Sequence, residues 1–405
     1  MTFDVSHPTG NNFVRALLEQ LQNKGLLSTF YTTIGFGNDC CRLFSKVSKR
    51  RIYNIPDKKI KRLWIPEIQR LLLNSDQEKK RRLADRSYKK LDYKTAKEIS
   101  AASTKLIHAY EDGAREIFIR AKELGIQCSY ELPIVHWATS RRLLAEEAER
   151  YPEWEPTLET TREPEEKLLK KEEELKLADR ITCPSQFVMN SIPTEIRNRV
   201  PCLISPFGSP KDIPLLNSTN RKKQQEKLLK ILFVGSMSQR KGLADIFEAM
   251  KLLKKEPVKL SILGQPSMPM AFYKEQFPNF KYYQTRTNQG VQQIMEEHDA
   301  LVLPSIVEGR ALVQQEALSC GLPLIVTANA GGEDLIKEGI TGHLVPIRSP
   351  EKIAQAIHVM IENKIYKEDI RKLCQKKAKE YCWASYAQKI IDFNLSNSEQ
   401  GFEIA

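Results

Sequence analysis

No uninterrupted apolar segment in these 405 residues approaches the length that spans a bilayer, so no membrane-crossing helix is expected. The N-terminus, Met1 to Pro8, carries an acid at Asp4 and lacks the basic region and long apolar stretch of a signal peptide. The eight cysteines, at 40, 41, 128, 183, 202, 320, 374 and 382, form no CxxC pair and no cluster with histidine at metal-ligand spacing. That pattern argues for buried free thiols in a reducing compartment. Aromatics make up only 8%, and no aromatic RNA-binding signature, zinc spacing or basic heptad array is present, which leaves a nucleic-acid-binding reading with little beyond charge. The expectation is a cytoplasmic protein.

What is present is the composition of a soluble globular chain, 41% hydrophobic and 28% charged, at a length that suits two domains. The net charge of +12 favours anionic partners. Much of the excess lies in the N-terminal half, in Lys49, Arg50, Arg51, Lys58, Lys59, Lys61 and Arg62, then Lys79, Lys80, Arg81, Arg82, Lys89 and Lys90. Two readings of this stretch stay open: a solvated positive face, or peripheral contact with the anionic inner face of a membrane.

Apolar periodicity predicts alternating strands and helices. Phe3 and Val5 open a strand, Gly10-Asn11 a tight loop, and Phe13, Val14, Leu17, Leu18 and Leu21 a helix closed by Gly25. Strands are expected over 28–34, 104–109, 126–132 and 181–183, with Ser185 capping the next helix. Helices broken near Pro152, Pro156 and Pro164 suit the charged stretch 140–179, while 42–100, with Leu71 to Leu73 as an apolar island, is the least readable segment. Apolar runs at 228–234, 260–263, 300–303 and 324–327 alternate with helical patterns, implying a parallel sheet covered on both faces. The domains expected are 1–205, a linker 206–227, 228–375, and a C-terminal helix and tail 376–405 that packs back on the first domain. Two such α/β domains would turn their strand carboxyl ends toward a shared cleft.

The chemistry is expected in 304–323. Glu308 falls in a strand-to-helix loop, Glu316 about two turns further along the same face, and Gly309 leaves the helix-start amides open to an anion. The bland alternative is that Glu308 complements the helix dipole and Glu316 is solvated. A second loop, Gly235 to Gly242, carries Arg240 and Lys241, able to neutralise a diphosphate. Cations at a helix N-terminus are unfavourable unless an anion compensates them.

These elements, taken in order, carry a resemblance. Phe-Val-Gly at 233–235, Arg-Lys-Gly at 240–242, Leu-Gly at 263–264, Leu-Pro-Ser at 303–305, Glu-Gly at 308–309, Glu-Ala-Leu at 316–318, Gly-Leu-Pro at 321–323, Gly-Gly at 331–332 and Gly-Ile-Thr-Gly-His-Leu-Val-Pro at 339–346 resemble the C-terminal domain of family-four glycosyltransferases. The resemblance implies an α/β GT-B fold, two Rossmann-like domains facing across a cleft, and a retaining transfer of a hexose-type sugar from a nucleotide-diphosphate donor to a saccharide or lipid-linked acceptor, as in polysaccharide biosynthesis. It also implies that Glu308 holds donor-sugar hydroxyls, Glu316 the ribose, and Arg240 with Lys241 the leaving diphosphate. Gly235, Ser236, Gly309 and Arg310 would complete the donor site, with the backbone of Ala311, Leu312 and Val313 closing around the phosphates. Ser236 departs from the pattern, which often has arginine there.

The N-terminal resemblance is looser: Gly10, Asn11 and Glu111 would line the cleft, and His136 stands where related enzymes place a cleft histidine. A satisfied surface histidine is the equal alternative for His136, and His7 is a weaker cleft candidate. No cofactor or metal is expected, the fold requiring none and the sequence having no Asp-x-Asp motif. A nucleotide-sugar epimerase, a phosphorylase of the same fold and a nucleic-acid-binding protein are the competing readings.

Overall fold

The computed structural model describes residues 1–39, 51–64, 77–158, 163–210, 228–362 and 368–396. The N-terminal lobe runs β1 (Phe3–Ser6), α1 (Asn12–Asn23), β2 (Leu27–Thr32), β3 (Ile60–Arg62), α2 (Gln77–Glu98), β4 (Leu106–Tyr110), α3 (Arg115–Glu123), β5 (Gln127–Glu131), α4 (Trp137–Arg150), α5 (Glu165–Leu177), β6 (Arg180–Cys183), α6 (Gln186–Ser191), α7 (Thr194–Arg199) and β7 (Cys202–Ile204). Its seven strands form one parallel sheet in the order β3-β2-β1-β4-β5-β6-β7. Alternation in β1 buries every residue, because helices cover both faces, as parallel sheets demand.

The second lobe runs β8 (Leu229–Val234), α8 (Leu243–Leu252), β9 (Val258–Leu263), α9 (Met270–Gln276), β10 (Phe280–Tyr283), α10 (Asn288–Glu296), β11 (Ala300–Leu303), α11 (Leu312–Ser319), β12 (Leu324–Val326), β13 (Gly342–Leu344), α12 (Pro350–Glu362) and α13 (Glu368–Lys379). Its parallel sheet has the order β10-β9-β8-β11-β12-β13. The order reverses direction between β8 and β11, and the loops leaving those two strands are the ones that carry Arg240, Lys241 and Glu308.

Two segments cross between lobes. The last helix, α14 (Trp383–Leu395), returns to the N-terminal lobe, where Trp383, Tyr386 and Ile390 share a core with Val14 and Leu17 of α1. Phe207 stacks on Trp383 with ring centroids 6.0 Å apart, so the first residues of the expected linker belong to this core; residues 211–227 lie outside the described part, as do 40–50 and 65–76 with Leu71 to Leu73. In the opposite direction, the 3-10 turn Pro152–Thr157 sends Trp154 into the second lobe's core, edge-on to Phe247, Phe272 and Tyr273. No described helix is long and apolar enough to cross a membrane. Two charges of the basic stretch are paired locally, Lys61 with Glu98 and Arg62 with Asp57.

Candidate active site

Glycine sets the first loop. Gly242 adopts φ 74°, and a Cβ there would sit 2.1 Å from the carbonyl oxygen of Pro304. No other residue type fits both constraints. The loops after β8 and β11 are thereby pressed together, Ile306 N–H donating to the carbonyl of Arg240 at 2.9 Å. The 3-10 turn Gln239–Lys241 then aims both cations at one carboxylate. Arg240 Nη1 donates to Glu308 Oε1 at 2.6 Å and to the Val307 carbonyl at 2.9 Å, and Lys241 Nζ meets the same Oε1. The anion that a basic turn before a helix requires is supplied within the chain by Glu308.

Burial alone would raise the pKa of Glu308, but the attraction and hydrogen bonds of Lys241 and Arg240 outweigh it and hold the carboxyl below its usual value. Burial lowers Lys241 in spite of Glu308. The two directions are compatible at neutral pH: an ionised glutamate faces an ammonium that is less costly to deprotonate than a solvated one. An anion entering here meets two preplaced cations, one of them, Lys241, already desolvated by the fold.

Glu308 is not on the helix. Helix α11 starts only at Leu312, so Glu316 alone lies on it, and the two glutamates are not members of one helical face. The Glu316 carboxylate has no hydrogen-bond or ion-pair partner among the described residues, and burial raises its pKa. No side chain caps Ala311 and no acid occupies the first turn of α11. Gly309 is required for a reason other than open amides: a Cβ would fall 1.9 Å from the carbonyl oxygen of Pro133, in the opposite lobe. Gly235, with φ 153°, passes so near Gly264 that a Cβ on the latter would meet its carbonyl at 1.7 Å; Ser236 Oγ lies 3.3 Å from Ser238 Oγ.

Other expected residues stand apart from this cluster. Arg310 is buried and forms a two-pronged pair with Asp334 at 2.7 and 3.1 Å, packed over Tyr381. It serves the second lobe's own packing. Leu312 reaches the aromatic edge of the N-terminal core, and Val313 packs in the second. His136 is 2% exposed, with Nδ1 accepting from the Ala138 N–H at 3.4 Å and Nε2 2.9 Å from Glu172 Oε1, which also accepts from Trp137 Nε1 at 2.8 Å. Burial lowers its pKa although Glu172 opposes this. Glu111 is paired with Lys171 at 3.6 Å, and Asn11 starts α1 beside Gly10, whose carbonyl accepts from Arg15 Nε at 2.9 Å. His7 is buried edge-on to Tyr110, neutral, with burial lowering its pKa to about 4.

The sequence reading missed the buried polar network just outside the cluster. Gln239 Nε2 donates to Glu147 of α4 at 2.6 Å and to Asp245 at 2.9 Å, Arg150 pairs with Asp245 at 2.7 Å, and Arg348 pairs with Glu146 at 2.7 Å and with Glu147. Apart from Gln239–Asp245, six residues apart within the second lobe, these are interlobe contacts between residues about 90 to 200 positions apart, for which no local spacing is a signal. No group of His, Cys, Asp and Glu suited to a metal is present among the described residues.

The fold is GT-B: two parallel-sheet α/β lobes meeting across a cleft. Sucrose-phosphate synthase from Thermosynechococcus elongatus superposes on it with TM-score 0.66 at 15% identity, covering 97% of this chain and 98% of that one. A trehalose-6-phosphate structure from E. coli bound with UDP-2-fluoro glucose does so with TM-score 0.62 at 13% identity, covering 97% and 98%. Residues 217–380 match the model of the group 1 glycosyl transferases. An uncharacterized glycosyltransferase of Methanocaldococcus jannaschii is 27% identical over 40% of this chain and 43% of its own length. D-inositol 3-phosphate glycosyltransferase of Paenarthrobacter aurescens is 33% identical over 21% of each. The chain spans about half or less of the length of the curated relatives it matches first.

Proposed function

We propose that this protein is a retaining glycosyltransferase that moves a hexose-type sugar from a nucleoside-diphosphate donor to a saccharide or lipid-linked acceptor. The observation that carries the proposal is the convergence of Arg240 and Lys241 on Glu308 at the point where the second sheet reverses order. Diphosphate oxygens compete with the Glu308 carboxylate for the two cations. Once they displace it, Glu308 is released toward the sugar hydroxyls, while Glu316, without a partner, is available to the ribose. The sugar departs with oxocarbenium character, and the acceptor hydroxyl attacks on the face the diphosphate vacates. Arg240, Lys241 and the amides opening α11 stabilise the charge that grows on the leaving phosphate, and each such preplaced donor is worth on the order of a hundredfold in rate. The UDP-sugar bound by the E. coli neighbour supports a nucleotide sugar as the donor class.

The test is a thermal-shift screen of UDP-glucose, GDP-mannose and ADP-glucose against the wild type and Glu316→Ala. One sugar nucleotide should raise the wild-type melting temperature by about a few degrees at saturating concentration and raise the variant's much less. Transfer of radiolabelled sugar from that donor to an acceptor, rather than its epimerisation or phosphorolysis, completes the assignment. Equal shifts in both proteins would refute the proposed donor site.

A further inference from the structure

The peptide that follows Glu308 is held from the opposite lobe. Ser185 lies just beyond β6 at the N-cap of α6, 4% exposed, and its hydroxyl has two partners. Oγ accepts from the Val188 N–H at 3.3 Å, capping α6, and donates to the carbonyl oxygen of Gly309 at 2.6 Å across the interlobe boundary. The same stretch of backbone is pressed against Pro133 and Ile134, where a Gly309 Cβ would fall 2.9 Å from the Ile134 Cα. On its other side, a Cβ on Gly331 would come within 2.0 Å of the Gly309 oxygen. The carbonyl is boxed in and the N-terminal lobe supplies its side-chain donor.

From this geometry we infer that Ser185 is a positioning residue: its hydroxyl latches the Glu308–Gly309 loop to the N-terminal lobe, so that closure of the cleft and presentation of Glu308 are one event. Glu308 is gripped on one side by cations of its own lobe, and the next residue is gripped by the other lobe. Separating the lobes therefore pulls on the backbone directly beside the carboxylate. The geometry stands without reference to activity; its catalytic consequence rests on the transferase reading above.

Capping and latching are separable by chemistry. Aspartate at 185 keeps an acceptor for the Val188 amide but, ionised, has no proton to donate to Gly309. Glycine is a tolerable N-cap with neither group, and threonine keeps both. Hydrogen exchange followed by mass spectrometry on the full chain, without any donor, reads the two roles in separate peptides. Ser185→Asp and Ser185→Gly should raise exchange in residues 304–313 by roughly three- to tenfold, the loss of one hydrogen bond. Residues 186–191 should stay protected in Ser185→Asp, and Ser185→Thr should match the wild type in both segments. With a transferred donor in hand, Ser185→Asp should lower kcat more than it raises the donor KM.

Unchanged protection of 304–313 in both Ser185→Asp and Ser185→Gly overturns the latch, as does a Ser185→Asp effect confined to 186–191, which would leave capping as the only role. If instead the exchange result holds while no sugar nucleotide is bound or transferred, the transferase reading fails and the latch survives.

Discussion

Glu308 and Glu111 follow strands of the two different lobes, and both are 9% exposed. Their acidities diverge. Burial raises Glu111 to about 7, with the Lys171 ammonium opposing and Asp112 and Glu163 adding to the rise, whereas Glu308 is held below its usual value. Equal burial cannot be the cause of opposite shifts; the ratio of partners is. Two cations face one carboxylate at Glu308, while Lys171 is shared among Glu111, Asp112 and Glu163, with Lys167 as the second cation beside Asp112 and Glu163. In the second lobe the surplus of positive charge is what an anionic ligand can claim. In the first, the charges are already spent on one another.

The largest expected effect breaks this comparison directly. If Glu308 has the role proposed for it, Glu308→Gln should lower transfer on the order of a hundredfold or more, because the group assigned to the sugar is lost. UDP binding, measured by calorimetry, should hold or tighten in the same variant, since the carboxylate no longer competes for Arg240 and Lys241. Glu111→Gln should be the milder change in both assays, its acid being half neutral near pH 7 already. Weaker UDP binding in Glu308→Gln would mean that the glutamate serves the diphosphate cradle rather than competing with it.

The second lobe was legible because its function is written in short consecutive motifs. Phe-Val-Gly and Arg-Lys-Gly bracket the loop after β8, and Glu-Gly lies in the loop after β11, so local spacing carries them. What those motifs hid was the reason for some residues: Gly309 answers to Pro133 in the other lobe, and Arg310 answers to Asp334. The first lobe was legible as strands and helices, but its cleft residues Gly10, Asn11, Glu111 and His136 rested on a looser resemblance. Three-residue strands such as β3 and β7 are too short to show alternation, and Trp154, in a proline-flanked charged stretch, gives no local sign that it completes the core of the other lobe. Ser185 was legible as a helix cap but not as a latch, because its second partner lies 124 residues away.

A smaller effect sharpens the same contrast through pH. Burial raises Glu131 and Glu174, like Glu111, and both reach about 8, while Glu131 accepts from Tyr386 of α14 at 3.1 Å and sits 3.7 Å from His108. An unfolded glutamate releases its proton near 4.5, so between that pH and 8 the folded chain holds more protons than the unfolded one, and stability falls as pH rises. His7 and His108, lowered to about 4 and about 3, act in the opposite sense, but only below their unfolded value of 6.5. The window from 6.5 to 8 is therefore the one in which the raised carboxylates act against no histidine. Denaturant titrations across it should show a loss of roughly 1–2 kcal/mol per raised group, and Glu131→Gln should remove its share of the slope. Glu308→Gln should leave the slope unchanged, because a carboxyl held below 4.5 is ionised in both states throughout that range and its own contribution is lost only as pH falls further. A slope that flattens equally in Glu308→Gln and Glu131→Gln would show that these two carboxylates do not differ in how the fold holds their charge.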